Sequence, residues 1–305
     1  MTDTLADHVT IREVCLRDGL QIETPIPLSA KLELLEAVVA TGVREVEATA
    51  FVSPSKVPAL ADAAALAAEL PRFREAHGVQ FSALVAGTGG AGRAIAAGME
   101  SIEYVVSAAD GHSRANVGRS TAESTDMIAD IARIAHESGA TIEVIVATAW
   151  DCPFDGPTDP RRVLDVATAA VEIGVDRIAI ADTIGTATPR RVTDLVALIQ
   201  PIIGTLPLGA HFHDTRGAGL ASAYAAVIAG VRRLDASVGG LGGCPFAPGA
   251  SGNIATEDLV YLLRDSGIGV DVDLRSAIHA AEVARAAVGH ELPSALLRAG
   301  DRILN

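Results

Sequence analysis

Several features that would decide fold or compartment are missing from this chain. Cysteine is scarce: Cys15, Cys152 and Cys244 cannot all pair with one another, and scattered cysteines in a large α/β chain read as free thiols, not a disulfide framework. No apolar run is long enough to cross a bilayer, and Met1 to His8 carry two Asp and no apolar stretch of the signal-peptide kind. A cytoplasmic protein with no membrane partner is expected. Positive charge is also in short supply. With 24 Lys and Arg against 38 Asp and Glu, a net of −14, the chain lacks the phosphate-neutralising surface that nucleic acid demands. An anionic substrate would need locally placed arginines. Finally, no Gly-x-Gly-x-x-Gly follows the first apolar run, so the main signature of a dinucleotide-binding fold is absent.

What is present is regular. The 305 residues, 49% apolar and 20% charged, suit one large α/β domain or two ordinary ones. Eight short β-branched runs alternate with Ala/Leu-rich stretches: Val9 to Leu16, Val43 to Thr49, Val79 to Val85, Ser101 to Ser107, Thr141 to Ala147, Arg177 to Ala181, Leu208 to Phe212 and Arg233 to Val238. Helices are expected at Ser29 to Thr41, Ser55 to Leu70, Thr121 to Ser138, Pro160 to Ile173, Pro189 to Ile203 and Leu220 to Ala229. Ser29 and Ser120 suit N-caps, and Pro160 and Pro189 suit the first helical turn. Gly42, Gly98, Gly139, Gly174 and Gly230 suit the helix ends. The pattern predicts a (β/α)8 TIM barrel over about 9–268, with a short C-terminal helical extension over about 269–305, as a single domain.

In such a barrel, chemistry belongs at the C-terminal ends of the strands. Polar residues fall there: Arg17-Asp18 follows the first run, Glu47 ends the second, Asp182 ends the sixth, His211 and His213 end the seventh, and Asn253 sits in the glycine-rich loop after the eighth. Positions i and i+2 of a strand face one side, so the two imidazoles can converge on one ion. Each residue also has a plain alternative: a pair of polar strand-end histidines, a turn cap at Asp18, a Glu47–Lys56 pair, a loop start at Asp182. As a set, two imidazoles, a carboxylate and an amide oxygen suit Mg or Mn more than structural Zn. Arg17 would place a fixed cation where an enolate oxygen develops. The loop from Gly239 to Asn253 reads as a mobile lid carrying Cys244, placed to exchange a proton with a reacting carbon unless it is an incidental small residue.

These residues resemble the 3-hydroxy-3-methylglutaryl-CoA lyase family, which is related to the isopropylmalate and homocitrate synthases. The resemblance is carried by Arg17-Asp18-Gly19-Leu20-Gln21, Glu47-Ala48-Thr49, Phe51-Val52-Ser53-Pro54, Asp182-Thr183-Ile184-Gly185, His211-Phe212-His213-Asp214-Thr215 and Gly240-Leu241-Gly242-Gly243-Cys244-Pro245-Phe246-Ala247, with Gly249-Ala250-Ser251-Gly252-Asn253 behind it. It implies metal binding by Asp18, His211, His213 and Asn253, and enolate stabilisation by Arg17. It also implies acid or base work by Cys244, proton transfer involving His211, and support from Glu47 and Asp182. The implied reaction is retro-Claisen cleavage of an acyl-CoA, with CoA present as part of the substrate, and the implied assembly is a homodimer. Leu16, Ser55-Lys56, His112, Gly118-Arg119 and Arg216 depart from the usual pattern around the substrate, while Asn116 keeps it. Asn116, Arg114 and Arg119 are the candidate CoA contacts; solvated loop charges are the alternative for the arginines. A citramalyl-CoA lyase, a condensing synthase and a non-catalytic metal- or CoA-binding module are the competing readings.

Overall fold

The segment Thr141–Ala147 shows how the sheet is built. Ile142, Val144 and Val146 are fully buried in the main apolar core, while Glu143 and Ile145 alternate with them on the opposite face. Repeated eight times, that alternation closes a barrel. The computed structural model describes residues 8–243 and 252–302. Its strands are β1 (Thr10–Glu13), β2 (Glu45–Phe51), β3 (Gln80–Val85), β4 (Ser101–Ser107), β5 (Thr141–Ala147), β6 (Arg177–Asp182), β7 (Leu208–Phe212) and β8 (Arg233–Ala236). All neighbours pair in parallel, and β8 returns to β1 with Arg12 opposite Asp235. This is the expected (β/α)8 TIM barrel. Cys152 and Gly156 pair in a small two-stranded ribbon after β5.

Helices cover the outside: α1 (Leu28–Val39), α2 (Ala63–His77), α3 (Thr88–Ala96), α4 (Asp110–Val117), α5 (Thr121–Glu137), α6 (Pro160–Ile173), α7 (Pro189–Ile203), α8 (Gly219–Ile228) and α9 (Thr256–Asp265). The extension is α10 (Leu274–Val288) and α11 (Ala295–Ala299). Among the described residues, no helix is long and apolar enough to cross a membrane. Local signals explain several ends. Ser120 and Glu123 form a reciprocal capping box on α5, and Pro160 and Pro189 occupy first-turn positions. The five expected helix-end glycines all have φ between 77° and 114°.

Four expectations need correction. The strand forecast from Val9 to Leu16 stops at Glu13, and Cys15–Gly19 forms a π-helical turn, because Glu13 accepts the Cys15 N–H at 2.9 Å and bends the chain. Ser29 lies inside the first turn of α1, since the Pro27 carbonyl already accepts from Ala30 and Lys31. The helix forecast at Ser55 to Leu70 begins at Ala63, after a 3-10 turn at Pro58–Leu60; proline supplies no N–H to extend the turn upstream. Glu47 sits in mid-strand, at an irregularity of the β2–β3 register, and not at a strand end.

The barrel interior is filled by charge as well as by apolar side chains. Arg12, 2% exposed, donates to both oxygens of Asp235 at 2.9 and 2.7 Å, to Glu143 at 2.6 Å and to Glu103. Arg233 pairs with Glu143, and Arg177 with Glu45 at 2.8 Å. Gly209 faces Arg233 across the β7–β8 register, and a Cβ there would overlap the guanidinium. Replacing one member of such a cluster strands the others in a dry interior. Arg12→Ala is expected to lower stability by about 3–5 kcal/mol, read from urea unfolding; a loss under ~1 kcal/mol would show that the network is dispensable.

Glu13 ties β1 to the segment beyond β8, accepting from the backbone N–H groups of Cys15 and Val238 and from the Thr256 hydroxyl at 2.6 Å. Burial pushes its carboxyl up to about 7. A folded-state value raised above the unfolded one stabilises at low pH, and this contribution is lost as pH climbs from the ordinary carboxylate range toward 7. Glu13→Gln is expected to flatten that slope in unfolding free energy between pH 5 and about 7, and an unchanged slope would assign it to other groups.

Candidate active site

The π-helical turn after β1, the end of β7 and the return of the loop after β8 meet at one point. Strand alternation puts His211 and His213 on the barrel side, with ring centroids 5.0 Å apart. The turn carries Asp18 beneath them: its Oδ2 lies 3.6 Å from His213 Nε2 and 4.0 Å from His211 Nε2. Asn253 pairs with His213 in an isolated antiparallel bridge, fixed by Asp214 N–H donating to the Gly252 carbonyl and Ile254 N–H to the Phe212 carbonyl. Its Nδ2 donates to Asp18 at 2.9 Å and to the Leu241 carbonyl at 3.0 Å. Glycine permits that approach, since a Cβ on Gly242 (φ 133°) would stand 2.6 Å from Asn253 Nδ2.

This donor set fits a divalent cation. Ligand atoms of Asp18, His211 and His213 all lie within 4.8 Å of one another, and all three residues are buried. Among the described residues, Asn253 Oδ1 and His213 Nδ1 are buried polar atoms without a hydrogen-bond partner, a cost that a bound cation would relieve. His211 is oriented from behind by Asp235, whose carboxylate accepts from Nδ1 at 3.2 Å. That bond fixes the tautomer and leaves Nε2 free as a ligand. Burial opposes ionisation of both carboxyls, but Arg17 and the histidines hold Asp18 well below its usual range, and Arg12 and His211 do the same for Asp235.

Arg17 is 6% exposed. Its Nη1 donates to Asp18 at 2.5 Å, and its Nε stands 2.7 Å from Glu47 Oε2 without hydrogen-bond alignment. Glu47 therefore pairs with Arg17, not Lys56. Burial and the adjacent Glu103 push Glu47 well above the carboxylate range despite Arg17, while Arg12 keeps Glu103 below it against its own burial. Asp182 lies close enough to His213 to feel its charge, and its oxygens accept from the Thr186 and Ala187 N–H groups at 2.9 and 2.8 Å. It shapes the loop after β6.

The other candidates are scattered. Arg114 and Asn116 are exposed on α4, outside the ligand cluster. Arg119 donates to the Ala86 carbonyl at 2.6 Å, and Arg216 to that of Ile184 at 2.6 Å. His112 is buried with Nδ1 3.1 Å from Ser107 Oγ, and burial lowers it to about 4. Cys15 lies in the core, and Cys152 accepts from the Phe154 N–H. Cys244 falls outside the described residues. Sequence reasoning missed Asp235 and Arg12, although Asp235 lies opposite His211 in the β7–β8 register. It also missed Thr148, a β-branched residue at φ 53° whose N–H donates to Thr183 Oγ1 at 2.8 Å; backbone of this kind concentrates at functional sites.

The HMGL-like family model matches residues 8–284. The chain belongs to the HMGL-like family. A curated (R)-citramalyl-CoA lyase of Chloroflexus aurantiacus is 40% identical, covering 96% of this chain and 95% of that protein. The hydroxymethylglutaryl-CoA lyase of Pseudomonas mevalonii is 39% identical over 88% of each. Among solved structures, an HMG-CoA lyase from Acinetobacter baumannii in complex with coenzyme A and 3-methylmalate superposes with a TM-score of 0.92 at 37% identity, covering 99% of this chain and 98% of that one. This HMGL-like protein is accordingly an enzyme of the lyase family.

Because Asp235 is ionised and sits directly behind His211, Asp235→Asn is expected to weaken Mn binding to the metal-stripped, folded protein about 10- to 100-fold, beyond the stability lost by removing a charge from the Arg12 cluster. Titration followed by electron paramagnetic resonance checks this; equal affinity would remove Asp235 from the site.

Proposed function

We propose that this HMGL-like enzyme is a divalent-metal-dependent carbon–carbon lyase that cleaves 3-hydroxy-3-methylglutaryl-CoA to acetyl-CoA and acetoacetate. The observation that carries the reading is the buried Asp18, His211 and His213 cluster with the free Asn253 Oδ1 beside it and Arg17 alongside. The lyase relatives support it. Asp18, His211, His213 and Asn253 would hold the cation, which supplies Lewis-acid polarisation and substrate orientation when bound. Mg or Mn suits this oxygen and nitrogen set better than Zn.

The chain's own residues account for the charge that moves. A base removes the proton of the tertiary hydroxyl, the C2–C3 bond breaks, the new ketone leaves as acetoacetate, and the electron pair becomes the thioester enolate. Arg17 is positioned for that oxygen: two of its nitrogens are committed to Asp18 and Glu47, which leaves Nη2. Cys244 then delivers the proton to C2, a role taken from the resemblance. Glu47, whose carboxyl burial and Glu103 push upward, lies against the Arg17 Nε. A second substrate has specific support. The relative at 40% identity is a citramalyl-CoA lyase, and citramalyl-CoA would break at the equivalent bond to acetyl-CoA and pyruvate. The unpaired thiols of Cys15 and Cys152 agree with a cytoplasmic location.

The test incubates the protein and Mg or Mn with both thioesters and measures acetoacetate, pyruvate and acetyl-CoA. Faster release of acetoacetate supports the proposed substrate, faster release of pyruvate selects citramalyl-CoA, and no cleavage of either overturns the reading. Arg17→Gln is expected to lower kcat about 100- to 1,000-fold with the fold retained, and Cys244→Ala to remove most turnover. Near-parental rates would reject the assigned roles.

A further inference from the structure

A second polar cavity opens on the same end of the barrel, where β2 and β3 finish. It has a volume of about 250 Å³ and is lined by Phe51–Ser53, the Ala86–Gly90 segment, Arg93, Arg119 and Met127. Two guanidiniums flank one stretch of bare backbone: a Cβ on Gly87 would stand 3.5 Å from Arg119 Nη2, and one on Gly89 3.8 Å from Arg93 Nη1. Arg93 is steadied by the Phe51 carbonyl at 3.0 Å, and Arg119 by the Ala86 carbonyl at 2.6 Å and the Tyr104 hydroxyl. Arg162, which also donates to the Thr121 hydroxyl, is neutralised by Asp110. Arg93 and Arg119 form no ion pair with a carboxylate among the described residues, although Glu123 lies close enough to feel the charge of Arg119. In a chain of net charge −14, two unneutralised cations facing one small cavity are the unusual feature.

We propose that this cavity binds a phosphate-class oxyanion through Arg93 and Arg119. Guanidinium N–H pairs match tetrahedral oxyanions in geometry and charge. The Thr88, Gly89 and Gly90 N–H groups, the unsatisfied first turn of α3, add donors on the same wall. The cavity is smaller than the roughly 300–1,000 Å³ that encloses a drug-sized ligand, so it suits the phosphoryl group and leaves any attached nucleoside outside. Two sources share this chemistry: the phosphates of the CoA thioester and a separate free phosphate. Assigning the first rests on the lyase reading above; the site itself does not.

Calorimetry with inorganic phosphate tests the site without reference to turnover. Binding by the intact protein is expected, weakened at least about tenfold by Arg93→Gln or Arg119→Gln and partly retained in Arg93→Lys, because lysine keeps the charge but not the fork. Equal phosphate affinity in the parent and both Gln variants, or no binding by the parent, overturns the proposal. A lower melting temperature with phosphate binding intact would reduce Arg93 to a tie between α3 and β2, and also overturns it. In the unaltered enzyme, phosphate that competes with the CoA thioester but not with the matching pantetheine thioester identifies the substrate's own phosphates as the ligand. An equal effect on both thioesters identifies a separate anion.

Discussion

The rest of the structure depends on one guanidinium. Arg12 lies in the middle of the barrel and engages Asp235, Glu103 and Glu143 at once. Burying any of these charges alone would cost several kcal/mol, so the strands that carry them are held in register by the need to keep the cluster together. The consequence reaches the site in two bonds. Arg12 keeps Asp235 ionised, an ionised Asp235 can only accept, and His211 must therefore present Nδ1–H to it and Nε2 to the mouth. The tautomer of a candidate metal ligand is set from inside the barrel.

The same cluster divides labour between two carboxyls that look alike in sequence. Glu103 faces Arg12 and Ser82, and Arg12 holds it below the carboxylate range; Glu47, two strands away on β2, is pushed above that range by burial and by Glu103. The upward push on Glu47 weakens its claim on Arg17, whose guanidinium lies beside the mouth. Strand-borne histidines give precision, and the turn and the loop return add Asp18 and Asn253 from opposite ends of the chain.

The architecture was legible because its signals are periodic. Alternating β-branched runs and Ala/Leu-rich stretches located all eight strands, and His-x-His and Arg-Asp-Gly marked the ligand cluster. Arg12 and Asp235 were not legible. In Thr-Ile-Arg-Glu and Arg-Leu-Asp-Ala the alternation reads as an ordinary half-exposed strand, and only closure of the barrel turns the polar face inward. The π-helical turn at Cys15 was hidden for a related reason: its residues suit a strand, and the Glu13 carboxylate that bends them acts through contacts with Val238 and Thr256, distant in sequence. Helix α3 escaped because three glycines in nine residues depress helix propensity. Tertiary packing overrides it, with Gly90 so close to the Phe51 carbonyl that a Cβ would stand 2.6 Å away.

Charge balance inside the barrel then explains why a protein of net charge −14 can handle an anion. Arg12, Arg17, Arg177 and Arg233 face Glu45, Glu103, Glu143, Asp235 and Asp18. That pairing leaves little free positive charge for a developing enolate. A divalent cation at Asp18 and the histidines would add two positive charges at the mouth, poorly screened by solvent. Removing a carboxylate from this set would not mimic the cation, because each one also neutralises a buried arginine and the gain at the mouth would be offset by an unpaired charge below. An acidic surface and a mouth made positive by a bound divalent ion are therefore compatible, because the buried guanidiniums already hold the inner carboxylates in pairs.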